Sequence, residues 1–149
     1  MSDTNINSVF NLQPKSKNNL RILNVNCQKI QSKRAELQTA IQYIKPDVIF
    51  CTESWLTGTK PGKNPNPGGI ASSEVFPPDY NVFRNDRNQF GGGVFILTHK
   101  SLTAEEQSEM VTNCEINWVK IKMERSKDLH LGVFYMPHRN IPDTVELEK

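Results

Sequence analysis

Three polar side chains stand at the ends of two short apolar segments in the first third of the chain. Asn24 and Asn26 end the segment LRILNVN, and Glu53 follows the segment VIFCT. A carboxylate at the end of a buried strand is costly to desolvate unless a metal ion, a basic side chain or hydrogen bonds compensate its charge. Because the pattern requires no Lys or Arg beside Glu53, a hard cation with oxygen ligands, Mg²⁺ or Mn²⁺, is one answer. A helix cap or a surface position is the alternative.

A second candidate is the segment RNDRNQFGGGVFIL, in which two arginines precede three successive glycines. Glycines remove every Cβ where the chain enters the next strand, so the backbone can approach another group closely. Arg84 and Arg87 are therefore candidates for binding an anionic substrate. The alternative is a glycine-rich hairpin turn that carries two exposed arginines.

The third candidate is Tyr135, which ends the apolar segment GVFYM just before Pro137. A phenol at a strand end can donate a hydrogen bond to a phosphate oxygen, or it can simply point its hydroxyl into water. The three histidines, His99, His130 and His138, have no ligand-like spacing and are assigned no role.

The elements that position these residues begin with a strand-helix-strand unit. LRILNVN predicts a strand, and the following SKRAELQTAIQYI predicts an amphipathic helix with Ser32 as N-cap and an end at Lys45, before Pro46. Its apolar stripe at i, i+3, i+4 and i+7 consists of Leu37, Ala40, Ile41 and Ile44. VIFC predicts a second, parallel strand, and parallel strands end at the same sheet edge. Asn24, Asn26 and Glu53 are therefore expected to converge.

The rest of the chain predicts loops and antiparallel strands. Residues 54–79 hold five of the nine prolines and four of the eight glycines, which predicts a long surface loop. YNVFR and GVFIL predict a hairpin, and residues 98–113 could include a short helix. INWVKIKM and LHLGVFYM predict another antiparallel pair.

Composition and charge indicate that the chain of 149 residues contains one globular domain and an N-terminal arm. Residues 1–18 are polar and without periodicity, so they are predicted to be disordered, and residues 19–149 form the domain. Residues 15–34 carry six Lys and Arg and no acid, whereas residues 35–149 carry twelve bases and fifteen acids. This basic segment could meet phosphates, or it could be a solvated arm.

The lack of a recognisable targeting signal and the pattern of cysteines predict a reducing, intracellular location. No apolar run approaches the roughly 18 residues of a membrane span, and no secretory h-region begins the chain. The three cysteines, Cys27, Cys51 and Cys114, are widely spaced and are expected to be buried thiols. We expect neither membrane contact nor a disulfide-linked partner.

Taken in order, the segments LNVN, PDVIFCTESWL, RNDRNQFGGGVFIL and FYMP resemble the start of the endonuclease/exonuclease/phosphatase superfamily. More narrowly, they resemble the apurinic-endonuclease-like domain of non-LTR retrotransposons, the jockey-like elements among them. The resemblance implies an α/β (α+β) fold, a four-layered β-sandwich. It also implies an Mg²⁺-dependent phosphodiesterase that nicks chromosomal DNA to prime reverse transcription. A reverse transcriptase region downstream and a nuclear location are expected for an intact element.

The resemblance implies a role for each candidate at the strand ends. Glu53 matches the metal-binding glutamate. Asn24 and Asn26 match the first-strand residues that arrange the metal and its water, so Glu53 and Asn26 are the expected metal ligands. Asn26, where repair relatives carry Asp, is the retroelement form. Tyr135 matches the tyrosine that contacts the scissile phosphate. The expected catalytic residues are thus Asn24, Asn26, Glu53 and Tyr135.

The family's later motifs do not follow Tyr135. These are a D-x-N that activates and orients the attacking water, and a final Asp-His pair. The two D-x-N strings of this chain, at residues 3–5 and 86–88, precede Tyr135 and lie in a tail and a turn. We therefore expect the first part of the domain, an incomplete sandwich without activity of its own. A phosphatase or phosphodiesterase of the same superfamily, and a non-enzymatic fragment that binds DNA or a protein partner, are the alternatives.

Overall fold

The protein folds as two β-sheets and a helix. A computed structural model describes residues 6–12, 20–88, 90–112, 114–123 and 127–136. The first sheet contains β1 (Ile6–Leu12), β2 (Leu20–Asn26), β3 (Val48–Thr52), β4 (Tyr80–Asn85) and β5 (Val94–His99), in the order β1-β2-β3-β5-β4. The second contains β6 (Ala104–Glu106), β7 (Glu115–Ile121) and β8 (Leu129–Tyr135), in sequence order.

The predicted strand-helix-strand unit is confirmed. The helix α1 (Arg34–Ile44) joins β2 to β3, which pair in parallel. Ser32 is not the N-cap, because it lies in a 3-10 turn (Ile30–Lys33) that precedes α1, and its hydroxyl donates to the Lys29 carbonyl at 2.9 Å. The left-handed Lys45, with φ 51°, ends the helix as expected before Pro46.

The prediction of a disordered arm over residues 1–18 is wrong for residues 6–12. These form β1, which pairs antiparallel with β2. An exposed sheet edge offers unpaired backbone N–H and C=O groups, which a segment without clear side-chain periodicity can pair with. The remainder of the predicted arm lies outside the described residues.

Two apolar layers hold the fold together, one on each face of the first sheet. Alternate residues of β2, β3 and β5 pack either against α1 or against the second sheet. The helix side includes Leu23, Val25, Ile49, Phe95, Leu97, Leu37 and Ala40. The inter-sheet side includes Leu20, Ile22, Val48, Val94, Ile96, Val119, Ile121 and Val133. Asn24 and Asn26 continue the row of Leu20 and Ile22, so they belong to the inter-sheet face.

The expectation of three cysteine thiols is wrong for two of them. Cys27 and Cys51 form an intramolecular disulfide on the helix side of the first sheet, and Cys114 is a buried free thiol. The two bridged residues are 24 positions apart in sequence, but the parallel pairing of β2 and β3 brings their Cα atoms within 6.2 Å. That separation suits a disulfide. Sequence spacing alone did not reveal it.

The remaining predictions concern loops and strands. The long loop over residues 54–79 is confirmed, and its regular part is a 3-10 turn (Ser72–Glu74). The predicted strands at β4, β5, β7 and β8 are confirmed. In place of a short helix, residues 98–113 hold β6 and a 3-10 turn (Ser108–Met110). No helix in the described part of the chain is both long and apolar enough to cross a membrane.

Candidate active site at the common edge of the two sheets

Glu53 follows β3 at the point where the first sheet ends. Its backbone is in the left-handed region, with φ 58°, a conformation that costs of order 1 to 3 kcal/mol outside glycine. Hydrogen bonds on both sides hold it there: Lys29 N–H donates to the Glu53 carbonyl at 3.0 Å, and Ser54 N–H donates to the Gly93 carbonyl at 3.2 Å. Strain of this kind is characteristic of functional sites.

Asn26 and Tyr135 meet the two carboxylate oxygens of Glu53. The Asn26 side-chain amide donates to Oε2 at 3.0 Å, and the Tyr135 hydroxyl donates to Oε1 at 3.4 Å. Asn26 ends β2, whereas Tyr135 ends β8 in the other sheet. The predicted convergence of Asn26 and Glu53 is confirmed, and Tyr135 joins them from 82 positions away.

Asn24 lies one pleat deeper in the inter-sheet layer. It is half-buried and pairs in register with Phe50 of β3. The Glu53 carboxylate accepts from Asn26 and Tyr135 and not from Asn24. The predicted catalytic role of Asn24 stays a prediction.

The Tyr135 hydroxyl remains a hydrogen-bond donor over the ordinary pH range. Burial raises its pKa above the usual value of 10.0, and the negative charge of Glu53, the hydrogen bond to Glu53 and the charge of Glu115 act in the same direction. Arg87 acts in the opposite direction. A protonated phenol at this position can donate to a carboxylate or to a phosphate oxygen.

Glu115 is a site residue that the sequence analysis missed. Its side chain is 12% exposed, and its carboxylate pairs with the Arg87 guanidinium at 3.3 Å and accepts a short hydrogen bond from Gly93 N–H. It is the first residue of β7, in the alternating inward row that Asn117 and Val119 continue. The sequence segment INWVKIKM predicts a strand that starts at Ile116. The alternation of inward and outward residues in that segment would place Glu115 on the inward face if the strand were extended by one residue.

The turn formed by Gly91, Gly92 and Gly93, hereafter the glycine turn, is where the backbone makes the predicted close approach. All three residues have φ between +69° and +156°. A Cβ on Gly92 would collide with Glu115 and with the Arg87 guanidinium, and a Cβ on Gly93 would collide with the Ser54 hydroxyl. The backbone of the glycine turn therefore closely approaches side chains of the protein itself, those of Arg87, Glu115 and Ser54.

The two arginines predicted to bind substrate lie in different environments. Arg87 has a side chain that is 39% exposed, and its Nε donates to the Gly91 carbonyl at 3.1 Å. Arg84 is only 2% exposed and pairs with buried Asp86 at 2.6 Å. Its remaining donors go to the carbonyls of Ile70 and Thr57 and to the Ser72 hydroxyl.

The prediction that Arg84 contacts substrate is therefore wrong. Its guanidinium is enclosed and satisfied by the long loop, so it fastens residues 57–72 to β4. Asp86 also accepts from Thr59 N–H at 2.9 Å, which completes this attachment. Arg87 is the arginine that a substrate could reach, and its role stays a prediction.

The donor set at Glu53 fits an open site for a hard cation. Mg²⁺ commonly keeps several waters and is held by one or two carboxylates together with substrate phosphates. Glu53 supplies one carboxylate and Asn26 a carboxamide oxygen. Across the described residues, no group of three or more His, Cys, Asp and Glu side chains could hold a metal ion. Glu53 and Asn26 supply oxygen donors from two side chains, so a cation held there would need further oxygen ligands from outside this pair.

A helix-covered mixed sheet facing a second sheet is the architecture of part of an endonuclease-type β-sandwich. A solved structure with this fold is the endonuclease domain of TRAS1, a telomere-specific non-LTR retrotransposon. It matches with a TM-score of 0.59 and 19% identity, over 85% of this chain and 49% of that chain. This chain thus spans about half the length of the TRAS1 domain. The likeness confirms the predicted fold.

No protein-family description matches the sequence. No curated protein matches it either.

Proposed function

We propose that this chain forms the metal-binding side of an Mg²⁺-dependent DNA endonuclease site, of the kind that nicks target DNA for a non-LTR retrotransposon. The observation that carries the proposal is the meeting of Asn26, Glu53 and Tyr135 where strand ends of the two sheets come together, with Oε2 and Oε1 of Glu53 3.0 and 3.4 Å from their donors. The fold it shares with the TRAS1 endonuclease domain supports the same proposal.

Each side chain has a distinct task in this proposal. A bound Mg²⁺ would polarise the scissile phosphate and neutralise charge that develops on it. Glu53 and Asn26 would hold that ion through oxygen atoms. The Tyr135 hydroxyl, which donates to Glu53 Oε1 in this structure, would donate instead to a non-bridging phosphate oxygen. Arg87 would pair with a neighbouring phosphate.

The groups that prepare the attacking water are not found among these residues. The string at residues 86–88 begins with Asp86, whose carboxylate is 1% exposed and engaged by Arg84, so it cannot serve as the D-x-N of the site. Loss of general-base assistance costs about 10² to 10⁴ in rate. We therefore expect no measurable nicking of supercoiled plasmid by the 149-residue chain alone.

A chimera tests the function directly. Residues 20–136 replace the corresponding half of the TRAS1 endonuclease domain, so that the second half of that domain is present beside them. We expect Mg²⁺-dependent nicking of plasmid DNA that falls at least 100-fold in the Glu53→Gln variant. Glu105→Gln, at a carboxylate that is 65% exposed on the second sheet, is the matched control.

Two outcomes would contradict the proposal. Nicking by the folded chimera that is unaffected by Glu53→Gln would remove Glu53 from the metal site. DNA binding by the 149-residue chain that falls steeply with salt, beside a folded chimera that never nicks, would favour the non-enzymatic alternative.

A further inference from the structure

We propose that Glu115 is a positioning residue that fixes Glu53 through the glycine turn and thereby couples the two sheets at the site. This inference rests on the proposed function, because it gives Glu53 a geometry to keep. Glu115 belongs to the second sheet, whereas Glu53 and the glycine turn belong to the first.

A short series of hydrogen bonds connects the two glutamates. The Glu115 carboxylate accepts from Gly93 N–H. The Gly93 carbonyl in turn accepts from Ser54 N–H at 3.2 Å, and the Gly92 carbonyl accepts from Trp55 N–H at 3.0 Å. Ser54 and Trp55 are the residues immediately after Glu53, so Glu115 acts on the backbone that sets the left-handed conformation of Glu53.

A second connection runs through Tyr135. Glu115 and Tyr135 are directly paired across β7 and β8, and the Tyr135 hydroxyl reaches Glu53 Oε1 at 3.4 Å. The contacts therefore close a ring from Glu115 through the glycine turn to Glu53 and back through Tyr135. A ring of this kind holds its members in one geometry better than a single contact does, because each link limits the others.

The charge of Glu115 strengthens this attachment. A carboxylate makes shorter and stronger hydrogen bonds to backbone N–H groups than a neutral acceptor does, and Arg87, at 3.3 Å, compensates its charge. The glycine turn is shaped around this pair, because a Cβ on Gly92 would strike both Glu115 and the Arg87 guanidinium. The Glu115 carboxylate contacts Gly93 and Arg87 and not Glu53, so its role is indirect.

The first arm of the test uses the full 149-residue chain without metal. The side-chain NH₂ signals of Asn26 in an NMR spectrum report the position of Glu53, since that amide donates to Glu53 Oε2 at 3.0 Å. We expect Glu115→Gln, which keeps the shape of the side chain but not its charge, to move these signals toward their positions in Glu53→Gln. Glu115→Ala should move them further, and Glu105→Gln should leave them unchanged.

The second arm measures Mn²⁺ affinity of the same variants by electron paramagnetic resonance. Outer-shell partners of metal ligands contribute about 10- to 100-fold to metal affinity, so we expect at least tenfold weaker binding in Glu115→Gln and no change in Glu105→Gln. Unmoved Asn26 signals in both Glu115 variants would overturn the inference, as would a Mn²⁺ affinity that is unchanged in these variants but weakened in Glu53→Gln. If Glu115→Ala fails to fold, Glu115→Gln decides both arms.

The two arms of the test distinguish failure of the inference about Glu115 from failure of the proposed function. Mn²⁺ binding that persists unchanged in Glu53→Gln would refute the metal site of the proposed function. The Asn26 signals would still test whether Glu115 positions Glu53, because they are recorded before any metal is added.

Discussion

Two charged side chains near the ends of strands that β5 separates, Arg84 on β4 and Glu53 after β3, lie in opposite environments in this fold. Arg84 is 2% exposed, and its guanidinium donates to Asp86 through both Nε and Nη2 and to the long loop. Glu53 is half-buried, and two side-chain donors, from Asn26 and Tyr135, meet its carboxylate.

The difference teaches that a charged side chain whose hydrogen-bonding groups are all used by the protein is structural, whereas one with unused groups could still bind a ligand. A guanidinium has five N–H donors in a fixed fork, and the protein uses this fork fully at Arg84. A carboxylate has about four acceptor positions, so Glu53 retains capacity for a cation. Both positions looked alike in sequence, because each is a charged residue at an apolar strand.

The largest expected effect is the loss of stability in Arg84→Met. Removing one partner of a buried ion pair leaves Asp86 charged and uncompensated, which costs about 3 to 5 kcal/mol. For a protein of this size we expect Tm to fall by roughly 10 °C, measured by thermal unfolding. If Arg84→Met has the Tm of the wild type but loses Mn²⁺ binding, Arg84 belongs to the candidate active site and not to the structural attachment of the loop.

A double-mutant cycle sharpens that result. Asp86→Asn removes the partner charge while it can still accept from Thr59 N–H. Arg84→Met combined with Asp86→Asn should therefore be less destabilised than the sum of the single variants, with a coupling of about 1 to 3 kcal/mol. Additive losses would mean that the ion pair is not what fastens the loop.

Tyr80 and Tyr135 extend the comparison, with smaller expected changes in the free energy of unfolding. Tyr80 is 5% exposed and donates to the Pro46 carbonyl at 2.6 Å, so Tyr80→Phe should cost about 1 to 3 kcal/mol. Tyr135→Phe should change stability by less than about 0.5 kcal/mol, because its hydroxyl lies at the site edge. Denaturant unfolding of both variants measures the difference. Equal losses would erase the distinction between a structural and a functional phenol.

Tyr80 also gives the stability a pH dependence. Burial, with help from the charges of Asp79 and Asp47, raises the pKa of Tyr80 from 10.0 to about 12. Because the folded pKa lies above the unfolded one, the stabilisation is complete below about pH 10 and is lost as pH rises toward 12. The wild type should therefore lose stability between these values more steeply than Tyr80→Phe. Parallel curves would contradict the assignment.

A small effect on stability is also expected at Arg87. Its ion pair with Glu115 is partly exposed, so Arg87→Gln should cost no more than about 1 kcal/mol. Its effect should appear in DNA binding, as a reduction of about one in the slope of log affinity against log salt. An unchanged slope, measured by fluorescence anisotropy, would return Arg87 to a purely structural role.

Local patterns in the sequence predicted most of the strands and the helix. The alternation in β7 and β8 and the stripe of α1 follow from which faces are buried, so the periodicity was sufficient. The convergence of Asn26 and Glu53 followed from the parallel crossover alone. The pairing of β1 could not be predicted in this way, because backbone bonds at a sheet edge leave little trace in side-chain periodicity.

The remaining features depend on contacts between distant segments. The burial of Arg84 depends on the long loop folding over it, which no local pattern of β4 contains. The Cys27–Cys51 bridge needs the register of two strands. Glu115 needs the approach of the second sheet to the glycine turn. In each case the deciding partner lies more than ten positions away in sequence, beyond the reach of periodicity.

The most direct test of the central claim is the Mn²⁺ affinity of the 149-residue chain and its Glu53→Gln variant. If Glu53 keeps capacity for a cation, the variant should bind Mn²⁺ at least tenfold more weakly, with Tm within about 2 °C of the wild type. Glu105→Gln should bind as the wild type does. Unchanged Mn²⁺ affinity in Glu53→Gln, or a large fall in its Tm, would place Glu53 with Arg84 among the structural charges.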